Sequence, residues 1–139
     1  MRNIQVVENE IQVPINSDQD IVTARQKGRS LAITLGFSSA DAILIATAIS
    51  ELARNIVTYA RRGEVLLTTI HKSARTGIQL VARDSGPGIP DVNLALRDGF
   101  STSGSLGLGL PGVKRLVDEF ECISEVGRGT TVIARKWKL

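Results

Sequence analysis

The sequence predicts a two-layer α+β sandwich, with helices covering one face of a mixed, mainly antiparallel sheet. Three observations lead there. Strand-like and helix-like segments follow one another in the order β-α-α-β-β-loop-α-β-β. A chain of 139 residues with 42% hydrophobic content suits a single domain spanning 1–139, which buries about two-thirds of its unfolded surface. Seven of the thirteen glycines lie between Gly86 and Gly112, and the stretch over 84–107 makes a loop longer than the ~15 residues that a small domain tolerates without a functional reason.

The elements read in order as follows. Residues 4–15 are rich in Val and Ile and predict a strand, interrupted by the polar run Glu8-Asn9-Glu10. Ser17 or Asp18 can cap a helix through Ile21, Val22, Ala24, Leu31 and Leu35, with Gly36 placed for a left-handed C-terminal residue. Ser38 or Ser39 caps a second helix over about 40–60, whose last turn carries Arg61 and Arg62 at the negative end of the helix dipole. Strands are expected over Glu64–His71 and Ile78–Arg83, joined by a hairpin turn from Lys72 to Gly77. A Gly/Ser/Pro-dense stretch over 84–107 follows, with one short helix at Asp91–Arg97. A helix starts near Leu110-Pro111, where proline is tolerated in the first turn, and ends near Phe120. Strands over about 121–126 and 130–137 flank the turn Gly127-Arg128-Gly129.

Composition excludes several classes. A net charge of +3 is spread over interleaved signs, and aromatics are only 4% of the chain. Neither a basic stripe nor a stacking platform for nucleic acid is present. The longest near-apolar run, Ala42 to Ile49, is far below the ~20 residues of a membrane helix, so no membrane partner is expected. A lone Cys122 gives neither an internal disulfide nor a metal cluster. With no secretory signal in Met-Arg-Asn-Ile-Gln-Val-Val-Glu, a cytoplasmic protein is expected.

Four short motifs carry the chemistry. In the second helix Glu51 and Asn55 stand at i and i+4, hence on one face. Alone they suit a solvated face as well as a cleft where a carboxylate activates a hydroxyl and a carboxamide holds a hard cation. Asp84-Ser85-Gly86-Pro87-Gly88, at a strand end, is an ordinary turn or a carboxylate set to accept from an exocyclic amine. Residues Gly107 to Gly112 match G-x-G-x-x-G, but a Ser/Gly loop rather than a strand precedes them, so a dinucleotide fold is ruled out. What remains is a run of glycine amides leading into a helix N-terminus, which suits phosphate. Gly127-Arg128-Gly129-Thr130 is a tight turn whose hydroxyl can reach a ligand.

In this order and context the four resemble the GHKL (Bergerat-fold) superfamily of ATP-binding domains. The resemblance makes ELARN (51–55) the N box, and DSGPG (84–88), GSLGLGL (104–110) and GRGT (127–130) its three glycine boxes. The run from Leu106 to Phe120 and the ending Lys136-Trp137-Lys138-Leu139 are similar to the RsbT-type serine/threonine switch kinases of bacterial partner-switching systems. That implies ATP and Mg²⁺ as cofactors. Asp84 then accepts from the adenine amino group, with Gly86, Gly88 and Thr130 completing the pocket, and Asn55 binds Mg²⁺. Gly104, Gly107, Leu108, Gly109 and Leu110 present amides to the phosphates, under an ATP lid spanning Asp98 to Ser105. Glu51 is the implied general base. Arg54, Lys114, Arg115 and Arg128 remain equal candidates for a γ-phosphate contact. The implied partners are STAS-domain proteins of the RsbS and RsbR type, which form the stressosome, and a downstream regulator such as an RsbU-type phosphatase. Two other readings use the same residues: an RsbW/SpoIIAB-type anti-sigma factor kinase, and a nucleotide-gated adaptor that transfers no phosphate.

Overall fold

In the computed structural model, residues 4–6, 10–90, 92–96 and 109–139 are described. Strands β1 (Ile4–Val6) and β2 (Ile11–Ile15) precede helices α1 (Asp18–Thr34) and α2 (Ser39–Asn55). Strands β3 (Gly63–Lys72) and β4 (Arg75–Asp84) come next, then a short α3 (Val92–Ala95) and α4 (Gly109–Leu116). Strands β5 (Glu119–Glu125) and β6 (Gly129–Trp137) end the chain. The sheet runs β1-β3-β4-β6-β5, with β2 also on β3, and each of these pairings is antiparallel. Both described pieces of the first predicted strand lie on the same edge: β1 against Ile70–Lys72 and β2 against Gly63–Leu67.

One face of the sheet is covered by helices. Register places Val65, Leu67, Ile78, Leu80, Ala82, Val132 and Ala134 on that face, where all are buried with Ile45, Ile49, Leu52 and Ile56 of the α2 region. Helix α2 packs against α1 on one side and α4 on the other. Its apolar surround explains why nine of its residues are buried, Glu51 among them. No helix among the described residues is long and apolar enough to cross a membrane.

Four local expectations are corrected. Ser17 stands at the N-cap of α1 but its side chain does not cap the helix; instead Asp20 Oδ2 accepts the backbone N–H of Asn16 at 2.8 Å. Helix α2 stops at Asn55 and one π turn, Ile56–Ala60, replaces the continuation to 60. The β3–β4 hairpin turn is only Ser73-Ala74, because Ser73 itself takes a left-handed φ of 55°. Gly77 lies within β4 opposite Trp137, where a Cβ would strike the indole. Helix α4 ends at Leu116, and Phe120 already pairs with Ala134 in β5. Its half-buried ring packs against the core from the strand.

Candidate functional site

Three elements meet at one end of the helix-covered face: the C-terminal turn of α2, the ends of β4 and β6 where Asp84 pairs with Thr130, and the start of α4. The π turn follows Asn55 directly. Such single wide turns cluster at functional sites, because they re-aim the side chains beside them.

Glu51 is 8% exposed. A carboxylate removed from water needs partners for its charge, and among the described residues it has two. Arg54, one turn on, donates from Nη1 to Oε2 at 2.6 Å, and the backbone N–H of Gly109 donates to Oε1 at 3.2 Å. The second bond ties α2 to the first residue of α4. Asn55 is half-buried, and its carboxamide has no hydrogen-bond partner among the described residues.

Asp84 is half-buried at the last position of β4, and its Oδ1 accepts the backbone N–H of Gly86 at 2.8 Å. Beside it, Ser124 Oγ accepts from the backbone N–H of Ile89 at 2.7 Å and donates to the carbonyl of Gly129 at 3.2 Å. With that proton committed, the Thr130 hydroxyl donates to Ser124 Oγ at 2.8 Å, which leaves the Thr130 oxygen as an acceptor. Sequence reasoning missed Ser124. Its signal was register: it pairs directly with Thr130 across the β5–β6 ladder, and the two share a face.

The glycine boxes work by close backbone approach. Gly129, at φ 106°, lies against the backbone of Asp84 and Ser85 at a separation no Cβ could enter. Gly88, at φ 81°, stands equally close to the carbonyl of Glu125. Only glycine permits both the left-handed backbone and the contact. Between them the backbone N–H of Gly127 donates to Pro87 O at 2.9 Å, so the 84–88 and 127–130 motifs lock together.

Cys122, beside this cluster, has its thiol pushed up to about 11, first by burial and then by the Asp84 carboxylate. It is a neutral packing residue at physiological pH. Of the cationic candidates, Arg54 is joined to Glu51, and Arg128 pairs with Glu125 at 3.4 Å on the surface. Leu110 is buried in the first turn of α4, behind Gly109. Gly104, Gly107, Leu108 and the lid at 98–105 lie outside the described residues. An apolar groove of about 380 Å³ lies elsewhere, between β2 and α1. Its lining of Ile11, Gln26, Lys27, Ser30, Leu31 and Thr34 holds no carboxylate.

The donor set fits a magnesium nucleotide. No group of three His, Cys, Asp or Glu that could hold a metal exists among the described residues. A carboxamide without a partner among the described residues suits Mg²⁺, which keeps most of its waters and binds mainly through phosphate.

Comparison with known proteins shows the family. Residues 40–139 match the family described as histidine kinase-, DNA gyrase B- and HSP90-like ATPase. The chain is 52% identical over 125 residues to serine/threonine-protein kinase RsbT of Bacillus subtilis (strain 168), covering 90% of this chain and 94% of that protein. It is 32% identical over 97 residues to anti-sigma F factor of Geobacillus stearothermophilus, covering 66% of each. Among solved structures, one of RsbU and RsbW domains from Mycobacterium tuberculosis shares the fold with a TM-score of 0.61 at 18% identity, covering 91% of this chain and 32% of that one. The chain belongs to the histidine kinase-, DNA gyrase B- and HSP90-like ATPase family, on the branch of the RsbT-type serine/threonine-protein kinases.

Proposed function

We propose that this chain is an ATP-dependent, cytoplasmic protein serine/threonine kinase whose substrates are STAS-domain proteins of the RsbS and RsbR type. Once released by that phosphorylation, it binds and activates a downstream regulator such as an RsbU-type phosphatase. The observation that carries the reading is the bond from the Gly109 amide, at the start of α4, to buried Glu51, one turn before Asn55 at the end of α2. Identity of 52% across 90% of the chain to a kinase supports it.

In this reading Asp84 accepts from the adenine amino group, and Gly86, Gly88 and Thr130 shape the pocket around it. Asn55 would hold Mg²⁺ through its side-chain oxygen, and the ion would supply charge neutralisation at the phosphates. The amides of Gly109 and Leu110, with those of Gly104, Gly107 and Leu108 beneath a lid at 98–105, hold the phosphates in place. Glu51 takes the proton of an incoming Ser or Thr hydroxyl as that oxygen bonds the γ-phosphorus. The bond from γ-phosphorus to the bridging oxygen breaks, and ADP leaves with its electron pair. Positioning and charge neutralisation supply most of such catalysis, with the base adding to it. The new phosphate places about two negative charges on the partner's docking surface, which drives release.

The test is transfer of label from γ-labelled ATP with Mg²⁺ to purified STAS-domain proteins of the same genome. Label on a partner Ser or Thr is the expected result. No label despite measurable ATP binding overturns the proposal. The 32% identity to an anti-sigma factor supports a second reading, a kinase that sequesters a sigma factor through the same site; a pull-down against sigma factor separates the two.

A further inference from the structure

The two donors that hold Glu51 are the kinds that hold phosphate: a guanidinium and the first amide of a helix. Arg54 has the freedom to leave, since its side chain is 44% exposed while that of Glu51 is 10% exposed. The Gly109 amide serves Glu51 here, although its place at the start of α4 is where a terminal phosphate would be received.

We infer that Glu51 and the terminal phosphate of ATP compete for the same two donors, Arg54 and the Gly109 amide, so that ATP itself releases the catalytic carboxylate. This rests on the reading of the site as an ATP-dependent phosphotransfer centre. Arg54 is then a positioning residue with two partners in turn. Paired with Glu51, it keeps Oε2 engaged and away from an acceptor hydroxyl. Drawn to the γ-phosphate, it neutralises charge there and leaves Oε2 free to take the hydroxyl proton as the oxygen–phosphorus bond forms. A phosphate carrying more negative charge outside the β-position wins the guanidinium, so ADP, which lacks the γ-group, does not make the exchange. Coupling base release to ATP keeps the carboxylate engaged while ADP occupies the site.

The discriminating measurement is a double-mutant cycle on nucleotide affinity, with the full chain titrated calorimetrically with Mg²⁺-ATP and Mg²⁺-ADP. Glu51→Gln is isosteric and keeps an acceptor for Gly109, Arg54→Ala removes a side chain that is 44% exposed, and thermal denaturation of each variant checks that the fold is retained before titration. With Arg54 present, Glu51→Gln should tighten ATP at least ~5-fold, because no ion pair must break; in the Arg54→Ala background it should tighten ATP less than ~2-fold. ADP affinity should stay the same in all four proteins, and Arg54→Lys should recover part of the preference for ATP over ADP. Equal tightening in both backgrounds would mean simple charge repulsion between Glu51 and phosphate, and overturns the exchange. Parallel shifts in ATP and ADP would mean a structural role and overturn it as well. In either case the kinase reading stands if the wild type still transfers label. Failure of the wild type to bind ATP would overturn both.

Discussion

The ladder between β4 and β6 has two unlike ends. At one, Gly77 faces Trp137; at the other, Asp84 faces Thr130. The Trp137 end is closed on itself. Its indole is 2% exposed, its backbone N–H donates to Asp118 Oδ2 at 2.7 Å and its Nε1 donates to Glu119 Oε2 at 2.7 Å. Arg135 donates to the other oxygen of Glu119 at 3.1 Å, and the Arg75 guanidinium lies 5.0 Å from the ring centroid. The Asp84 end uses irregular backbone and, among the described residues, keeps capacity in reserve: a carboxylate bonded to one neighbouring amide and a threonine oxygen still able to accept. Polar groups that satisfy one another rigidify a structure, while groups with unused capacity are what a ligand can bind. The same two strands are thus closed on themselves at one end and, among the described residues, left with polar capacity at the other.

If that division holds, substitutions at the open end should remove activity and spare the fold. Asn55→Ala is expected to reduce phosphotransfer to background with the unfolding midpoint nearly unchanged, checked by label transfer alongside thermal denaturation. Glu51→Ala should slow transfer on the order of 10²-fold or more while nucleotide binding survives. Equal loss of ATP binding there would make Glu51 structural and blur the contrast between the ends.

The closed end should behave in the opposite way. Trp137→Ala, which empties a buried ring site, should cost about 3–5 kcal/mol and lower the unfolding midpoint by roughly 10–20 °C. The molecules that remain folded should bind ATP as before, as calorimetry at low temperature would register. A smaller effect comes from Glu119. The Trp137 indole N–H, ahead of Arg135 and Lys72 and against the opposing effect of burial, holds its carboxyl below the usual carboxylate range. A carboxyl with a lowered folded-state pKa adds stability above its unfolded value, about 4.3, and loses it as pH falls through the folded value. Urea unfolding of Glu119→Gln between pH 6 and pH 3 should therefore show a shallower acid decline than wild type. Identical slopes would leave the closed end without its electrostatic part.

How far the sequence carried depends on the range of the interaction. The i, i+4 spacing of Glu51 and Asn55 placed both on one face because helix geometry is local, and α2 runs without interruption to Asn55. Gly36 at φ 90° ends α1 as its position implied. The order of elements needed only periodicity. By contrast, the stop of α2 at a π turn, the two-residue turn at Ser73-Ala74 and the early end of α4 were illegible. Each is a compromise between a local preference and packing against segments far away in the chain. Ser124 escaped for the same reason, since a serine in a strand means nothing until register sets it against Thr130.

By itself, the sequence determined the two-layer architecture, the ATP-site motifs and the chemical type of each group, because these follow from hydrophobic period and from residue identity at short spacing. Tertiary structure alone decided which donors Glu51 takes, that Gly88 and Gly129 exist to let two turns touch, and which end of the β4–β6 ladder is closed. Those outcomes depend on distances between residues tens of positions apart, which only the folded chain brings within bonding range.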